Sequence, residues 1–118
     1  MMGKRITVPI AIEAPANSDS KYILWKVDYP AVVVKEIELV FESGTFNVLF
    51  ASLYYGDMKV APRVGEYTSL GGVIRDKVDV PYFKGDPILL RVRNTDSANP
   101  HKLSGSLEVE VVEEVVEE

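Results

Sequence analysis

The fold is decided by residues 87–113, which read PILLRVRNTDSANPHKLSGSLEVEVVE. Two apolar runs flank a polar loop, NTDSANPHK, which carries the single histidine of the chain, His101. Every second residue is apolar in both runs, and a period of two is typical of strands half-buried against a core. The alternating residues are Ile88, Leu90, Val92, Leu107, Val109 and Val111. The stretch therefore predicts two closing strands joined by a loop.

Turn signals separate further apolar runs along the rest of the chain. We predict strands over residues 6–12, 21–28, 32–41, 46–55, 58–62 and 73–80. The segment from Glu42 to Thr45 is a tight connection and predicts that the strands on either side of it form an antiparallel hairpin. About eight strands, with turns every eight to twelve residues and no convincing helix, predict an all-β antiparallel sandwich. We expect a jelly-roll-like order, with an Ig-like sandwich as the alternative.

Length and composition indicate one folded unit. A chain of 118 residues, 47% of them apolar, has enough material for a single core. The terminal repeat VVEEVVEE pairs its charges and its valines, so it does not continue the alternation of a strand. We predict a single domain over residues 1–112 and an acidic tail over residues 113–118.

The charge of the chain is unevenly distributed. The net charge is −5, and six of the eighteen acidic residues lie between Glu108 and Glu118. The remaining twelve acids face thirteen bases, and the bases are interspersed with acids. No basic stripe is available to neutralise phosphates, so we predict no nucleic-acid partner.

The absence of cysteine excludes disulfides, zinc–thiolate sites and thiol catalysis. No apolar run approaches the roughly 18 residues of a membrane span, so we predict no membrane partner. The alternation of residues 6–12 favours a first strand over a signal peptide. A location in a virion or in the cytoplasm is favoured.

A hydrolytic site is the first enzymatic alternative. His101 has Asp96, Ser97 and Ser104 near it in sequence, but no G-x-S-x-G nucleophile elbow occurs. A loop histidine that hydrogen-bonds its own turn is the better interpretation, which makes His101 a bystander. We predict no catalytic residue, no cofactor and a protein that is not an enzyme.

Carboxylates offer a second alternative, a calcium site that braces the loops. The four candidate ligands are Asp76, Asp79, Asp86 and Asp96. Their spacing matches no calcium loop, and Arg75 and Lys77 flank the first of them. No metal site is predicted, although the sequence leaves such a loop-bracing calcium open.

Aromatic residues supply the candidate contact site. The rings gather at predicted strand ends and loops, where they could stack on sugars or anchor a protein partner, or could close the end of the core. The candidate partner or glycan contacts are Tyr54, Tyr55, Tyr67, Tyr82 and Phe83. A carbohydrate-binding module that uses these rings is therefore the alternative to a structural protein.

The C-terminal half also resembles small β-sandwich proteins encoded in phages and integrated viral elements. The resemblance is carried by Gly65-Glu66-Tyr67, by the strand GDPILLRVRN, and by Asn94-Thr95-Asp96 followed by Pro100-His101. It implies a virion or virus-derived structural module that forms homo-oligomers or binds another structural protein. It implies no set of functional residues.

Overall fold

The computed structural model describes residues 4–45 and 47–112, which fold as nine β-strands and no helix. The first five strands are β1 Arg5–Ala14, β2 Ser18–Lys26, β3 Ala31–Phe41, β4 Leu49–Tyr55 and β5 Met58–Ala61. They are followed by β6 Tyr67–Thr68, β7 Gly72–Phe83, β8 Pro87–Asn94 and β9 His101–Val111.

The strands form two antiparallel sheets that pack face to face. Sheet I has the order β1-β9-β3-β7, and sheet II has the order β2-β8-β4-β5, with the short β6 also paired to β4. The first strand thus pairs with the last, the second with the eighth, the third with the seventh and the fourth with the fifth. This nested pairing is that of a jelly roll, as predicted, and it differs from the Ig-like order.

Alternating burial explains why these residues form strands. In β3 the inward side chains are almost fully buried, and the alternation changes phase at a bulge between Val34 and Glu36. The inward residues of β3 are Val32, Val34, Ile37, Leu39 and Phe41. Matching apolar residues from β1, β8 and β9 fill the space between the sheets, so the core has contributions from both ends of the chain.

Gly105 in β9 allows sheet I to close at its centre. A Cβ at this position would lie 1.9 Å from the carbonyl oxygen of Glu38 in β3, and the residue has a φ of +143°. Only glycine allows so close an approach with this backbone conformation.

Two expectations about the strands are wrong. The strands on either side of Glu42–Thr45 do not form a hairpin, because β3 pairs with β7 and β9 while β4 belongs to the other sheet. The strand predicted over residues 73–80 is longer than expected, because β7 runs from Gly72 to Phe83. Edge strands tolerate proline, which is why Pro81 does not end this strand.

Some expectations fall outside the described residues. Phe46, at the start of the predicted fourth strand, is one of these, and so are the residues of the predicted acidic tail, 113–118. The division into a domain of residues 1–112 and a tail therefore stays a prediction. In the described part, no helix is long and apolar enough to cross a membrane.

Candidate functional site

Four of the five predicted contact rings lie at one end of the sandwich. Tyr54 and Tyr55 end β4, Tyr82 and Phe83 end β7, and Asp86 lies in the turn that follows. We call these five residues the aromatic end. Backbone hydrogen bonds from Val27 to Asp86 and from Gly85 to Val27 fix the neighbouring β2–β3 and β7–β8 connections to each other. The strand-end location of the rings is as predicted.

Most of the aromatic end closes the core. Tyr55 and Tyr82 stack with their ring centroids 5.3 Å apart. The Tyr55 hydroxyl donates to Oδ2 of Asp86 at 2.8 Å, and the buried Tyr82 hydroxyl donates to the backbone oxygen of Tyr54 at 2.9 Å. The hydrogen bond to Asp86 raises the pKa of Tyr55, and burial raises the pKa of Tyr82. Both phenols therefore stay neutral donors.

Phe83 is the exception at this end, because 51% of its surface is exposed. Its ring points away from the core, beside Ala31 of β3. Tyr54 is half-buried on the outer face of sheet II. A partner or glycan contact through the five rings stays a prediction, and among these rings only Phe83 is exposed.

The fifth predicted ring, Tyr67, lies apart from the other four. It begins β6, is buried, and donates its hydroxyl to Oδ2 of Asp76 at 2.5 Å. Burial, and then the hydrogen bond to Asp76, raise the pKa of this phenol. Asp76 points inward from β7, so this bond joins the edges of the two sheets.

The outer face of sheet II carries a cluster that sequence reasoning missed. Arg91 donates to both carboxylate oxygens of Asp19, at 2.8 and 2.5 Å, and to the Tyr54 hydroxyl at 3.3 Å. The Lys21 ammonium lies 4.6 Å from the centre of the Tyr54 ring. Hydrogen bonding to Asp19 raises the pKa of Arg91, and the same contact lowers the pKa of Asp19.

A second cation covers a ring on the same face. The Arg93 guanidinium lies 4.4 Å from the centre of the Phe50 ring and donates to Glu66 at 2.7 Å. Ser52 lies between the two clusters, opposite Arg91, and its buried hydroxyl has no hydrogen-bond partner among the described residues. The sequence could have indicated this cluster, because Arg91 and Arg93 are two residues apart in a predicted strand and such residues share a face.

His101 is better connected than predicted. It begins β9 and is 8% exposed. Its Nε2 lies 2.8 Å from Oδ2 of Asp96 and its Nδ1 lies 3.2 Å from Oε1 of Glu42. The contact with its own turn is as expected, but the description of a bystander is wrong, because the ring also joins β9 to the end of β3. We call Glu42, Asp96 and His101 the histidine bridge.

The four candidate calcium ligands lie apart and hold different partners. Asp79 accepts from Lys35 at 2.9 Å, and the others accept from Tyr67, from Tyr55 and from His101. Within residues 4–45 and 47–112, no three acidic, histidine or cysteine side chains are grouped so as to hold a metal ion.

Comparison with known proteins bears on the fold. No family model and no curated protein matches the sequence. Among solved structures, a chain of the acid-stable capsid of Helicobacter pylori bacteriophage KHP30 matches with a TM-score of 0.56 and 13% identity. That match covers 92% of this chain and 93% of the capsid chain.

Two further structures have the same fold. The infectious bursal disease virus VP2 subviral particle matches with a TM-score of 0.50 and 18% identity, over 93% of this chain and 34% of the VP2 chain. This chain thus spans about a third of VP2. A protein of the disulfide-linked pili of Bacillus endospore appendages matches with a TM-score of 0.50 and 10% identity, over 95% of this chain and 93% of that chain. The chain is therefore a jelly-roll β-sandwich that resembles viral β-sandwich structural proteins in fold, as its C-terminal half predicted.

Proposed function

We propose that this protein is a non-enzymatic structural module that assembles with copies of itself, as part of a virion or of a particle derived from a virus. The observation that carries the proposal is the match of nearly the whole chain to nearly the whole of a phage capsid chain. A second match comes from a pilus, which is another kind of assembly. Fold alone does not determine function, so the surface of the molecule has to supply further support.

That support comes from how the polar and aromatic groups are used. The tyrosine hydroxyls of the aromatic end and the histidine bridge connect strands and loops of the molecule itself. These groups are engaged in holding the frame, as expected of a module whose role is to present a rigid surface. A virion or the cytoplasm is the location that we propose.

The disulfide linkage described for the pili cannot form in this chain. The pili of the Bacillus appendages are described as disulfide-linked. This chain has no cysteine, so its assembly cannot be disulfide-linked, and we propose non-covalent contacts between its surfaces instead. Its strength should therefore depend on concentration and, where charged residues take part, on salt.

The test is sedimentation velocity of the purified chain over a wide concentration range, with electron microscopy of the same samples. Self-assembly predicts a sedimentation coefficient that rises with concentration, or discrete particles. A single monomeric species at the highest soluble concentration would contradict the proposal.

The carbohydrate-binding alternative is separable by a second assay. It predicts binding on a glycan array that is lost in Tyr54→Ala, a ring on the outer face of sheet II, and in Phe83→Ala, the exposed ring. Tyr82→Phe is the matched control, because it removes only a buried hydroxyl. An array without signal above background would contradict this alternative.

A further inference from the structure

Within residues 4–45 and 47–112, strand β7 leaves one long edge of the sandwich without a partner strand. It is twelve residues long, ends sheet I, and pairs only with β3 among the described strands. On the same side β5 ends the main path of sheet II, and a cleft of about 470 Å³ separates the two edges. An unpaired edge of this length presents a row of N–H and C=O groups that can pair with another strand.

The odd-numbered residues of β7 point their backbone groups outward. The carbonyl of Pro30 accepts from Lys84, whereas the carbonyl of Ala31 accepts from Val112 at the other side of β3. Since backbone groups alternate along a strand, Val80 and Tyr82 carry the bonds to β3. The register with β3 shifts between Val80 and Lys77, but side-chain burial along β7 alternates without a break, so the same alternation extends to the even-numbered residues before Val80. The side chains of the odd-numbered residues lie on the outer, exposed face of sheet I.

The exposed side chains of β7 are complementary to themselves when the strand is reversed. Val73 and Phe83, 55% and 51% exposed, lie five residues on either side of Val78, and Lys77 and Asp79 lie one residue on either side of it. We infer that β7 pairs antiparallel with β7 of a second copy about a two-fold axis at Val78. Each Lys77 then lies opposite Asp79 of the second copy, and each Val73 opposite Phe83.

Neighbouring registers lack this complementarity. An axis at Lys77 sets Arg75 opposite Asp79, but Arg75 already donates to Glu38 of its own chain at 2.6 Å, and this axis also places two lysines opposite each other. An axis at Asp79 places two aspartates opposite each other, and like charges directly opposite are destabilising. A shift that changes the pairing by one residue would set outward side chains against inward ones. Charge and apolar surface therefore select the register centred on Val78.

Two local features limit the strength of this pairing. Pro81 has no N–H, so its pair with Arg75 of the second copy has one backbone hydrogen bond instead of two. Asp79 also accepts from Lys35, but through Oδ1, so its other oxygen can accept from Lys77 of the second copy. The interface is isologous and closes as a dimer in which two four-stranded sheets become one.

This inference rests on the proposed self-assembly, and a charge-swap experiment tests it separately. Lys77→Asp gives a chain with two acids at the axis, and Asp79→Lys gives one with two lysines. Each variant alone should dissociate at a concentration at least about tenfold higher than the native chain. An equimolar mixture should recover the dimer, because each acid then lies opposite a lysine. Lys102→Asp, on the outer face of β9, is the matched control and should dimerise normally.

The outcomes separate the two proposals. If the native chain assembles but single variants assemble equally well, or if the mixture does not recover the dimer, the β7 interface is overturned while self-assembly stands. A native chain that stays monomeric overturns both. Circular dichroism checks folding of each variant. Hydrogen exchange of the native chain adds a test without mutation: the amides of Lys77 and Asp79 should be protected only above the dimerisation concentration, and equal protection in the monomer would overturn the interface.

Discussion

His101 Nδ1 lies 3.2 Å from Oε1 of Glu42, although the two residues are 59 positions apart in the chain. The same carboxylate oxygen accepts the backbone N–H of Lys102 at 3.0 Å. On its other side the ring meets Asp96. A neutral imidazole has a single N–H, so both ring contacts are hydrogen bonds only when the ring is protonated. The histidine bridge thus ties the end of β3 to the start of β9.

Removing the ring should destabilise the fold. His101→Ala leaves two carboxylates without this donor and opens a void next to the core, so we expect a loss of about 2 kcal/mol in the free energy of unfolding. Urea denaturation at neutral pH measures the change. Lys102→Ala, the exposed neighbour, should cost less than about 0.5 kcal/mol. Equal losses in the two variants would show that the bridge contributes nothing beyond an ordinary surface position.

Acid should weaken the same region through Asp96. The backbone N–H of Ala98, and then His101, hold the pKa of this carboxyl at about 2, below its ordinary value of 3.8. Because the folded pKa is the lower one, the contribution of Asp96 is fully present above the unfolded value and is lost as pH falls through about 2.

The measurement is thermal unfolding between pH 5 and pH 2. Asp96→Asn should have a lower Tm than the native chain at pH 5, and the difference in Tm between the two should decrease as the pH falls. Ser97→Ala, an exposed change in the same loop that removes no titratable group, should run parallel to the native chain. A gap that stays constant down to pH 2 would refute the assignment.

Gly105 should tolerate no side chain. The Cβ of Gly105→Ala would overlap the carbonyl oxygen of Glu38, which belongs to the backbone and cannot rotate away. We expect a loss of more than about 3 kcal/mol, or a chain that does not fold. Gly65→Ala is the matched control, since Gly65 also has a positive φ but has open space around it, and it should cost about 1 to 2 kcal/mol. Similar losses at the two positions would contradict a steric cause.

At Ser52 we expect a substitution that stabilises the fold. Its hydroxyl is buried on the outer face of sheet II without a described partner, so Ser52→Ala removes an unpaired polar group. We expect the free energy of unfolding to rise by about 1 kcal/mol. Ser104→Ala, exposed on β9, should change it by less than about 0.5 kcal/mol. A loss of stability in Ser52→Ala would mean that the hydroxyl has a partner, such as a bound water.

Alternation along the chain predicted the sandwich and most of its strands, because every second side chain of a half-buried strand faces the core and is apolar. This alternation does not indicate which other strand each strand pairs with. The turn at Glu42–Thr45 indicates a reversal correctly, but the sheet that β4 joins depends on β8, some forty residues later. Local turn chemistry therefore predicted a hairpin where the chain crosses between sheets.

The candidate site shows the same limit. The location of the tyrosines at strand ends follows from the sequence, whereas the partners of Tyr67 and of His101 come from other strands. Lys21 and Tyr54 meet because β2 and β4 both flank β8. Contacts of this kind depend on which strands are neighbours in the fold. The alternating exposure along β7, in contrast, depends on the order of its own residues.

The nested pairing of the strands also bears on how the chain is made. The register of β1 sets Thr7 opposite Glu108, so sheet I cannot be completed until residues more than a hundred positions apart have met. During synthesis β1, β2 and β3 leave the ribosome well before β7, β8 and β9, their partners across the nested pairs. The apolar faces of β1, β2 and β3 therefore stay exposed to solvent until their partners have been synthesised. This exposure favours slow folding and a need for chaperones during synthesis.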